Sequence, residues 1–242
     1  MKQFSFIDVL KLRASYGKSG NQAINPYQTL STQNTVQYVY NGATATGVIA
    51  NQLGNSNLTW ETSTGINLGL DFTVLKGRIN GTVEWYQMQT NDILLRRNLP
   101  NISGFANILD NIGKTENKGI EVSLKVAILQ TNDFLWETSL NFTANRNKIT
   151  ELYGDNKDDI GNKWLIGKPL QAVYDYDLVG IWQQSDATLM ASIDPGAKVG
   201  DMKFRDTNGD NVINEKDRIY LGTSLPKWIG EYPMPLGIKI YG

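Results

Sequence analysis

Residues 206–217, DTNGDNVINEKD, carry oxygen-bearing side chains at the spacing of a cation-binding loop. Acidic or amide side chains fill positions 1, 3, 5, 9 and 12 of the twelve. Calcium loops of this length take oxygens from those positions, with a backbone carbonyl at position 7 and often a water at position 9. We therefore predict a structural Ca²⁺ that orders a surface insert over residues 198–222. The predicted ligands are Asp206, Asn208, Asp210, the Val212 carbonyl, Asn214 through a water, and Asp217.

Two residues depart from the usual calcium loop. Position 6 is Asn211 where glycine normally makes the sharp turn, although asparagine tolerates the left-handed conformation better than most residues. Position 12 is aspartate, whose side chain is one methylene shorter than that of glutamate. The alternative is a metal-free turn, rich in Asp and Asn, that caps a short helix at NEKDR, residues 214–218. The sequence leaves both interpretations open.

A second candidate site lies on a predicted strand over residues 171–182, QAVYDYDLVGIW. Alternation places Tyr174, Tyr176 and Trp182 on one side of that strand, opposite two aspartates. Aromatic rings can stack on the faces of sugars, so these three residues are candidates for binding a glycan. The alternative is that they pack in a core or at an interface.

Catalytic chemistry has few candidate residues in this sequence. The chain has no Cys and no His, which excludes Ser–His–Asp and Cys–His catalysis, His- or thiolate-based zinc sites and disulfides. Asp155, Asp158 and Asp159 lie close together, but no spacing fixes two carboxylates across a cleft, as glycoside hydrolysis requires. They are typical of a solvated acidic loop. We predict that the protein is not an enzyme.

Charge and hydropathy exclude two further classes of protein. The 242 residues carry 23 basic and 24 acidic side chains in an interspersed pattern, so we predict no nucleic-acid partner. No apolar stretch approaches the ~20 residues that a membrane helix needs. The first residues lack the apolar region of a signal peptide. We expect either a protein that stays where it is made or an internal piece of a longer one.

Alternating hydrophobicity predicts two long hairpins. Apolar side chains recur at every second residue of 66–74 and along 79–85, with the turn LKGR between them. The same plan repeats in 120–128 and 134–142, joined by QTND. This alternation is typical of strands with one apolar and one polar face. Further strands are predicted at 9–17, 34–40, 171–182 and 227–241, the last interrupted by Pro233 and Pro235.

The length of these strands decides the predicted fold class, which is all-β. Globular strands usually have about five or six residues, whereas strands of membrane barrels need roughly 9–11. Short turns at one end and long extracellular loops at the other, at 89–117 and 146–170, are typical of a transmembrane β-barrel of antiparallel strands. About eight predicted strands form part of such a barrel and do not close it alone. A large antiparallel sandwich remains the alternative on periodicity.

Five blocks of sequence, in this order, resemble the C-terminal part of the SusC/RagA family of TonB-linked outer-membrane receptors. The resemblance covers nearly the whole chain, from about residue 8 to about 230. The blocks are LKLRASYGKSGNQ (10–22), NSNLTWETSTGINLGLDF (55–72), LPNISGF (99–105), NIGKTENKGIEVSL (111–124) and GDMKFRDTNGDNVINEKDRIYLGTSLPKW (200–228).

The resemblance implies a large plugged barrel in the outer membrane. Such a receptor imports oligosaccharides or peptides, is powered by the TonB complex and carries a SusD-like surface lipoprotein as a lid. It contacts outer-membrane lipid on one side and a glycan or peptide ligand on the other. The family's signal peptide, TonB-contacting segment and plug have no counterpart here, so we expect residues 1–242 to be the C-terminal part of a receptor barrel, either as a fragment of a receptor or as a truncated gene product. The ending IGEYPMPLGIKIYG departs from the family pattern.

Two other functions remain open on the residues alone. The first is a soluble β-sandwich module that binds glycan through its aromatic side chains and is stabilised by a calcium loop. The second is a carboxylate-based glycoside hydrolase. Barrel strands separated from their barrel require detergent or aggregate, whereas a sandwich module is monodisperse in plain buffer.

Overall fold

The computed structural model describes residues 6–238 except residues 23, 132, 133, 155, 234 and 235, and residues 236–238 by their backbone only. The chain forms two compact units: Met1–Lys157 together with Lys227–Gly242, and Asp158–Pro226. Strands make up most of the first unit, whereas the strands of the second unit are short. In chain order they are β1 (Ile7–Asn21), β2 (Thr32–Tyr40), β3 (Ala43–Gln52), β4 (Glu61–Val74), β5 (Ile79–Asn98), β6 (Asn107–Gln130), β7 (Phe134–Leu152), β8 (Ala172–Tyr176), β9 (Leu178–Ile181), β10 (Met202–Phe204), β11 (Arg218–Thr223), β12 (Ile229–Glu231) and β13 (Leu236–Ile238).

The first unit is built around an open antiparallel sheet in the order β1-β4-β5-β6-β7, with β12 and β13 both paired to β7. Paired residues across such a sheet point to the same face. One rung joins Leu12, Leu70, Val83, Val122 and Phe142. The predicted phases of the four long strands therefore coincide across the sheet, which has one apolar and one polar face as predicted.

The central strands are much longer than a membrane crossing requires. β5 has 20 residues, β6 has 24 and β7 has 19. The predicted loop over 89–117 is therefore wrong, because the chain continues as a two-stranded ribbon and turns only at residues 99–106. Register shifts between Thr90 and Leu94 interrupt the pairing. Polar residues lie on both faces of this ribbon, so the alternation that marks a one-sided strand is absent there.

A separate hairpin of β2 and β3 completes the first unit. The sequence predicted β2 but missed β3. The turn is Asn41–Gly42, with φ of 54° and 76°, which is the left-handed geometry that two-residue hairpins require. The Asn–Gly pair was therefore the signal that could have found the second strand.

The predicted final strand, 227–241, consists of two short strands, β12 and β13. Pro233 lies between them, and its carbonyl accepts hydrogen bonds from Thr138 Oγ1 at 2.9 Å and from the Ser139 backbone N–H at 3.4 Å. Proline cannot donate to a strand ladder, which accounts for the break. Pro235 and residues 239–241 lie outside the described residues.

The second unit, Asp158–Pro226, contains two small sheets, β8 with β11 and β9 with β10, and a helix, α1 (Ala187–Ile193). The single strand predicted over 171–182 is split at Asp177. The Asp177 carboxylate contacts Arg205 Nε at 2.8 Å and its carbonyl accepts from the Arg205 N–H at 3.0 Å, so the chain changes partner strand there. Leu165, Trp182 and Ile193 are buried in this unit. No helix among the described residues is long and apolar enough to cross a membrane.

Candidate functional site

The apolar face of the large sheet forms a continuous band. The band runs from the rung Val74–Ile79–Val126 to the rung Leu68–Trp85–Ile120. It extends furthest along β4, where it covers Ile66 to Val74. Nine strand residues span about 27 Å along the strand, or roughly 20 Å along the axis of a barrel at the usual strand tilt. Leu12, at the middle of the band, is 82 % exposed in this chain. This face therefore has the chemistry of a lipid-facing barrel wall, and its height approaches the ~25 Å apolar band of outer-membrane barrels.

The polar face carries a charged network at the level of the band. The Arg13 guanidinium binds both carboxylate oxygens of Asp71, at 2.8 and 2.9 Å, and reaches Glu84 at 2.5 Å. Gly69 lies beneath it: a Cβ there would sit 3.0 Å from the guanidinium carbon. Glycine thus lets the side chain lie flat across three strands. A network of this kind belongs on a wetted inner wall, since lipid would leave it without solvation.

The loop at 206–217 folds around its own carboxylates. Asp206 accepts from the backbone N–H groups of Gly209 at 2.7 Å and Asn211 at 2.8 Å. Asn208 and Asp210 accept in the same manner from the N–H groups two residues ahead, at 2.8 and 3.0 Å. Asn211 has a φ of 63°, so asparagine takes the left-handed position that glycine usually fills.

The last residue of the loop is its anchor. Asp217 is fully buried, and its two oxygens accept from the N–H groups of Thr207 at 2.9 Å and Asn214 at 2.8 Å. These backbone donors, Asn214 first and then Thr207, hold the pKa of Asp217 below its usual value despite burial. The carboxylate is therefore ionised at neutral pH. Asn214 accepts from the Lys216 N–H and caps a 3₁₀ turn, Glu215–Asp217.

The cap at NEKDR is thus present, whereas the metal remains a prediction. In the part of the chain that the structure describes, no three Asp or Glu side chains form a group that could hold a metal ion. The carboxylates at positions 1, 5 and 12 instead accept backbone N–H groups within the loop.

The three aromatic residues proposed to bind a ligand do not share one surface. Trp182 is fully buried, with Lys203 Nζ 4.7 Å from its ring centroid, so the packing alternative holds for this residue. Tyr176 lies against Phe204, with ring centroids 5.1 Å apart, while Tyr174 pairs with Tyr220 on β11. Tyr174 and Tyr176 are half-buried and remain candidates.

The acidic loop is held by local turns. Asp158 accepts from the Ile166 N–H at 2.6 Å, and Asp159 accepts from the backbone and side chain of Asn162 at 2.9 and 2.8 Å. Asp155 lies outside the described residues. Both described carboxylates therefore stabilise turns within the loop.

Known proteins share this sheet. The family described as TonB dependent receptor-like, beta-barrel, matches residues 3–227. TonB-dependent receptor P26 of Formosa agariphila is 35% identical over 239 residues, which are 95% of this chain and 24% of that protein. TonB-dependent receptor SusC of Bacteroides thetaiotaomicron is 33% identical over 228 residues, covering 90% of this chain and 22% of SusC. The chain thus spans about a quarter of the length of the curated relatives that it matches.

Solved structures agree with the family match. A chain of the RagAB peptide transporter superposes with a TM-score of 0.72 at 26% identity, over 96% of this chain and 25% of that one. The RagAB peptide importer in its closed-closed state gives a TM-score of 0.73 at 27% identity, over 94% and 25%. The chain therefore belongs to the TonB-dependent receptor-like β-barrel family of the outer membrane, and within it to the SusC/RagA group.

Proposed function

We propose that this chain forms part of the barrel wall of a TonB-dependent transporter that imports oligosaccharides or peptides across the outer membrane. The observation that carries the proposal is the two-faced antiparallel sheet, with an apolar band on one face and a charged network on the opposite face. A soluble sandwich module would cover such a band with a second sheet. No catalytic role is proposed.

The two faces of the large sheet have different roles. The apolar face contacts lipid, and the polar face, including Arg13, Asp71 and Glu84, lines the interior. By analogy with the SusC and RagAB relatives, a SusD-like lipoprotein closes the outer mouth and the TonB complex supplies energy. The ligand is an oligosaccharide or a peptide, since both SusC and a peptide importer are similar to this chain.

Cell fractionation followed by uptake assays tests this function. We expect an antibody against residues 146–170 to detect a protein in the outer membrane, and an affinity-tagged copy to co-purify with a surface lipoprotein. Deleting the gene should abolish growth on one glycan or peptide source while growth on monosaccharides or free amino acids continues. Detection of the protein only in a soluble fraction would refute a role in the barrel wall and favour the glycan-binding module.

We further propose that the loop at 206–217 binds Ca²⁺ as a structural ion. The support is the spacing of its oxygens and the left-handed residue at position 6. Calcium would displace the loop's own N–H groups from some carboxylate oxygens. Affinity is expected in the ~10⁻⁴–10⁻³ M range of extracellular modules.

Calcium is expected to stabilise the receptor selectively at this loop. At 10 mM free Ca²⁺, the expected gain is about 1.4–2.7 kcal/mol for the unit that holds the loop. Proteolysis rates of the detergent-solubilised receptor within 158–226, measured with and without Ca²⁺, report this gain. Asp206→Ala with Asp210→Ala should abolish the calcium effect, whereas Lys216→Ala should keep it. Equal protection by Mg²⁺, or none by Ca²⁺ in the unaltered protein, would rule out the calcium site.

A further inference from the structure

On β5 and β6 the apolar face ends at the rung of Trp85 and Ile120, on the side away from the short turn at residues 75–78, whereas on β4 it continues one rung further to Ile66. Two tryptophans lie at this edge. Trp85 occupies the last rung of the band, and Trp228, 63 % exposed, stacks on Phe142 with ring centroids 6.2 Å apart. Tryptophan is enriched where a membrane protein leaves the hydrocarbon and meets the headgroups. The edge of the band is therefore the level of the membrane–water interface.

Cations occupy the same face immediately beyond this edge. The next rung pairs Gln87, Lys118 and Arg146, and the rung after it pairs Glu116 with Lys148. We name Lys118, Arg146 and Lys148 the basic rim. Their side chains stand side by side on β6 and β7, and the Lys118 side chain is 55% exposed. The rim lies on the outward face of the sheet, on the side opposite to the Arg13 network.

Glu116 positions the two lysines of the rim. Its side chain is only 11% exposed, and its Oε1 lies 3.2 Å from Lys148 Nζ and 4.0 Å from Lys118 Nζ. Gln87 donates to the other oxygen at 3.3 Å. Arg146 is fixed separately by donating to the carbonyl oxygens of Asn145 and Lys227. One carboxylate thus holds the two lysines, and with Arg146 on the neighbouring strand the three cations outnumber this anion, so the cluster stays positive.

We propose that the basic rim binds the phosphate groups of the glycolipid in the outer leaflet. Barrels of this class place short turns in the periplasm and long connections outside the cell, so this edge faces the outer leaflet. Lipopolysaccharide there carries phosphate at the top of its acyl chains, at the level of the rim. Arginine and lysine are the side chains that pair with phosphate, and their bond strengthens near a low-dielectric surface. The rim would hold the barrel at a fixed height in the leaflet.

The lipid rather than free phosphate is the proposed ligand because the apolar band lies directly below the rim. A lipid phosphate arrives with acyl chains that cover Ile120 and Phe142 on the same face. Free phosphate would gain only the surface charge interaction, which salt screens. The inference depends on the outer-membrane location and not on which ligand the receptor imports.

The test compares the full receptor with a triple variant, Lys118→Gln, Arg146→Gln and Lys148→Gln. After extraction in mild detergent, we expect the unaltered receptor to retain lipopolysaccharide, quantified by mass spectrometry of its hydroxy fatty acids. It should also be stabilised against heat when purified lipopolysaccharide is added. The triple variant should need at least tenfold more lipopolysaccharide for the same shift. The unaltered receptor should likewise need at least tenfold more lipopolysaccharide for the same shift when the lipid has been chemically dephosphorylated.

A control variant, a control ligand and a second test variant make the outcome decisive. The control variant combines Lys11→Gln, Lys76→Gln and Lys125→Gln. It removes the same amount of charge from the polar face and the short-turn end, and it should leave lipopolysaccharide binding unchanged. Inorganic phosphate at millimolar concentration should give no shift. If loss of the Arg146 contacts prevents folding, the double variant Lys118→Gln with Lys148→Gln carries the test. Equal responses of variant and unaltered receptor, or an equal response to dephosphorylated lipid, would overturn the proposal.

Discussion

Replacing Val122 with arginine is expected to remove most of the folded receptor from the outer membrane. Val122 lies on the central rung of the apolar band, between Val83 and Phe142. Arginine on the lipid face near the bilayer midplane costs about 2–4 kcal/mol. At about 1.4 kcal/mol per tenfold change, this lowers the folded-to-unfolded ratio by roughly 30- to 700-fold. Loss of the heat-modifiable band on gels of outer-membrane fractions measures the effect.

The neighbouring residue supplies a matched control. Ser123 points to the polar face, where its hydroxyl donates to Asn141 Oδ1 at 3.0 Å. Ser123→Arg adds the same side chain one position along the same strand, but into a wetted interior, so assembly should stay close to the unaltered level. If both variants assembled equally well, the apolar face could not be the lipid face.

Gly119→Ala is expected to be the second most damaging change, although it adds a single methyl group. A Cβ at Gly119 would lie 2.7 Å from the Ala144 carbonyl oxygen and 2.6 Å from Tyr86 Oη. Tyr86 lies across this glycine on the polar face, and the carbonyl belongs to the neighbouring strand. Because the backbone must move, the expected loss is about 1–3 kcal/mol of unfolding free energy.

The same substitution at Gly81 should be nearly neutral. A Cβ at Gly81 would lie 2.3 Å from the Phe72 ring, but only that ring is in the way. Phe72 is on the apolar face, where the ring can rotate toward lipid. Urea denaturation of both variants in lipid vesicles compares them directly. Tyr86→Ala should rescue Gly119→Ala only in part, and complete rescue would show that the backbone contact is unimportant.

The long strands with one apolar and one polar face were the part of the fold that the sequence predicted best. The rung of Leu70, Val83 and Val122 repeats the predicted phases because lipid-facing and interior residues alternate along each strand. The ribbon beyond Thr90 escaped prediction because polar residues lie on both of its faces and interrupt the alternation. The break at Asp177 depends on Arg205, which is 28 positions away and invisible to a local pattern.

The candidate sites show the same limit. The turn at 206–217 was readable because its Asp and Asn side chains bond to backbone groups two to five residues away. The burial of Trp182 could not be predicted, because alternation shows which side of a strand a residue takes but not whether another layer covers it. The basic rim was missed because its residues become neighbours only through strand pairing. Lys118 and Lys148 are 30 positions apart.

The length of the β5–β6 ribbon has a consequence for what approaches the cell. From Trp85 to Asn98 the strand advances 13 residues, which is about 44 Å along the strand and roughly 30 Å along the barrel axis at a 45° tilt. The tip therefore stands clear of the lipid headgroups, and Ile102 at that tip is 97% exposed. A macromolecule arriving from outside would encounter this tip before any part of the membrane-embedded wall, and substitutions at the tip are free of the lipid-facing constraint that acts on the wall.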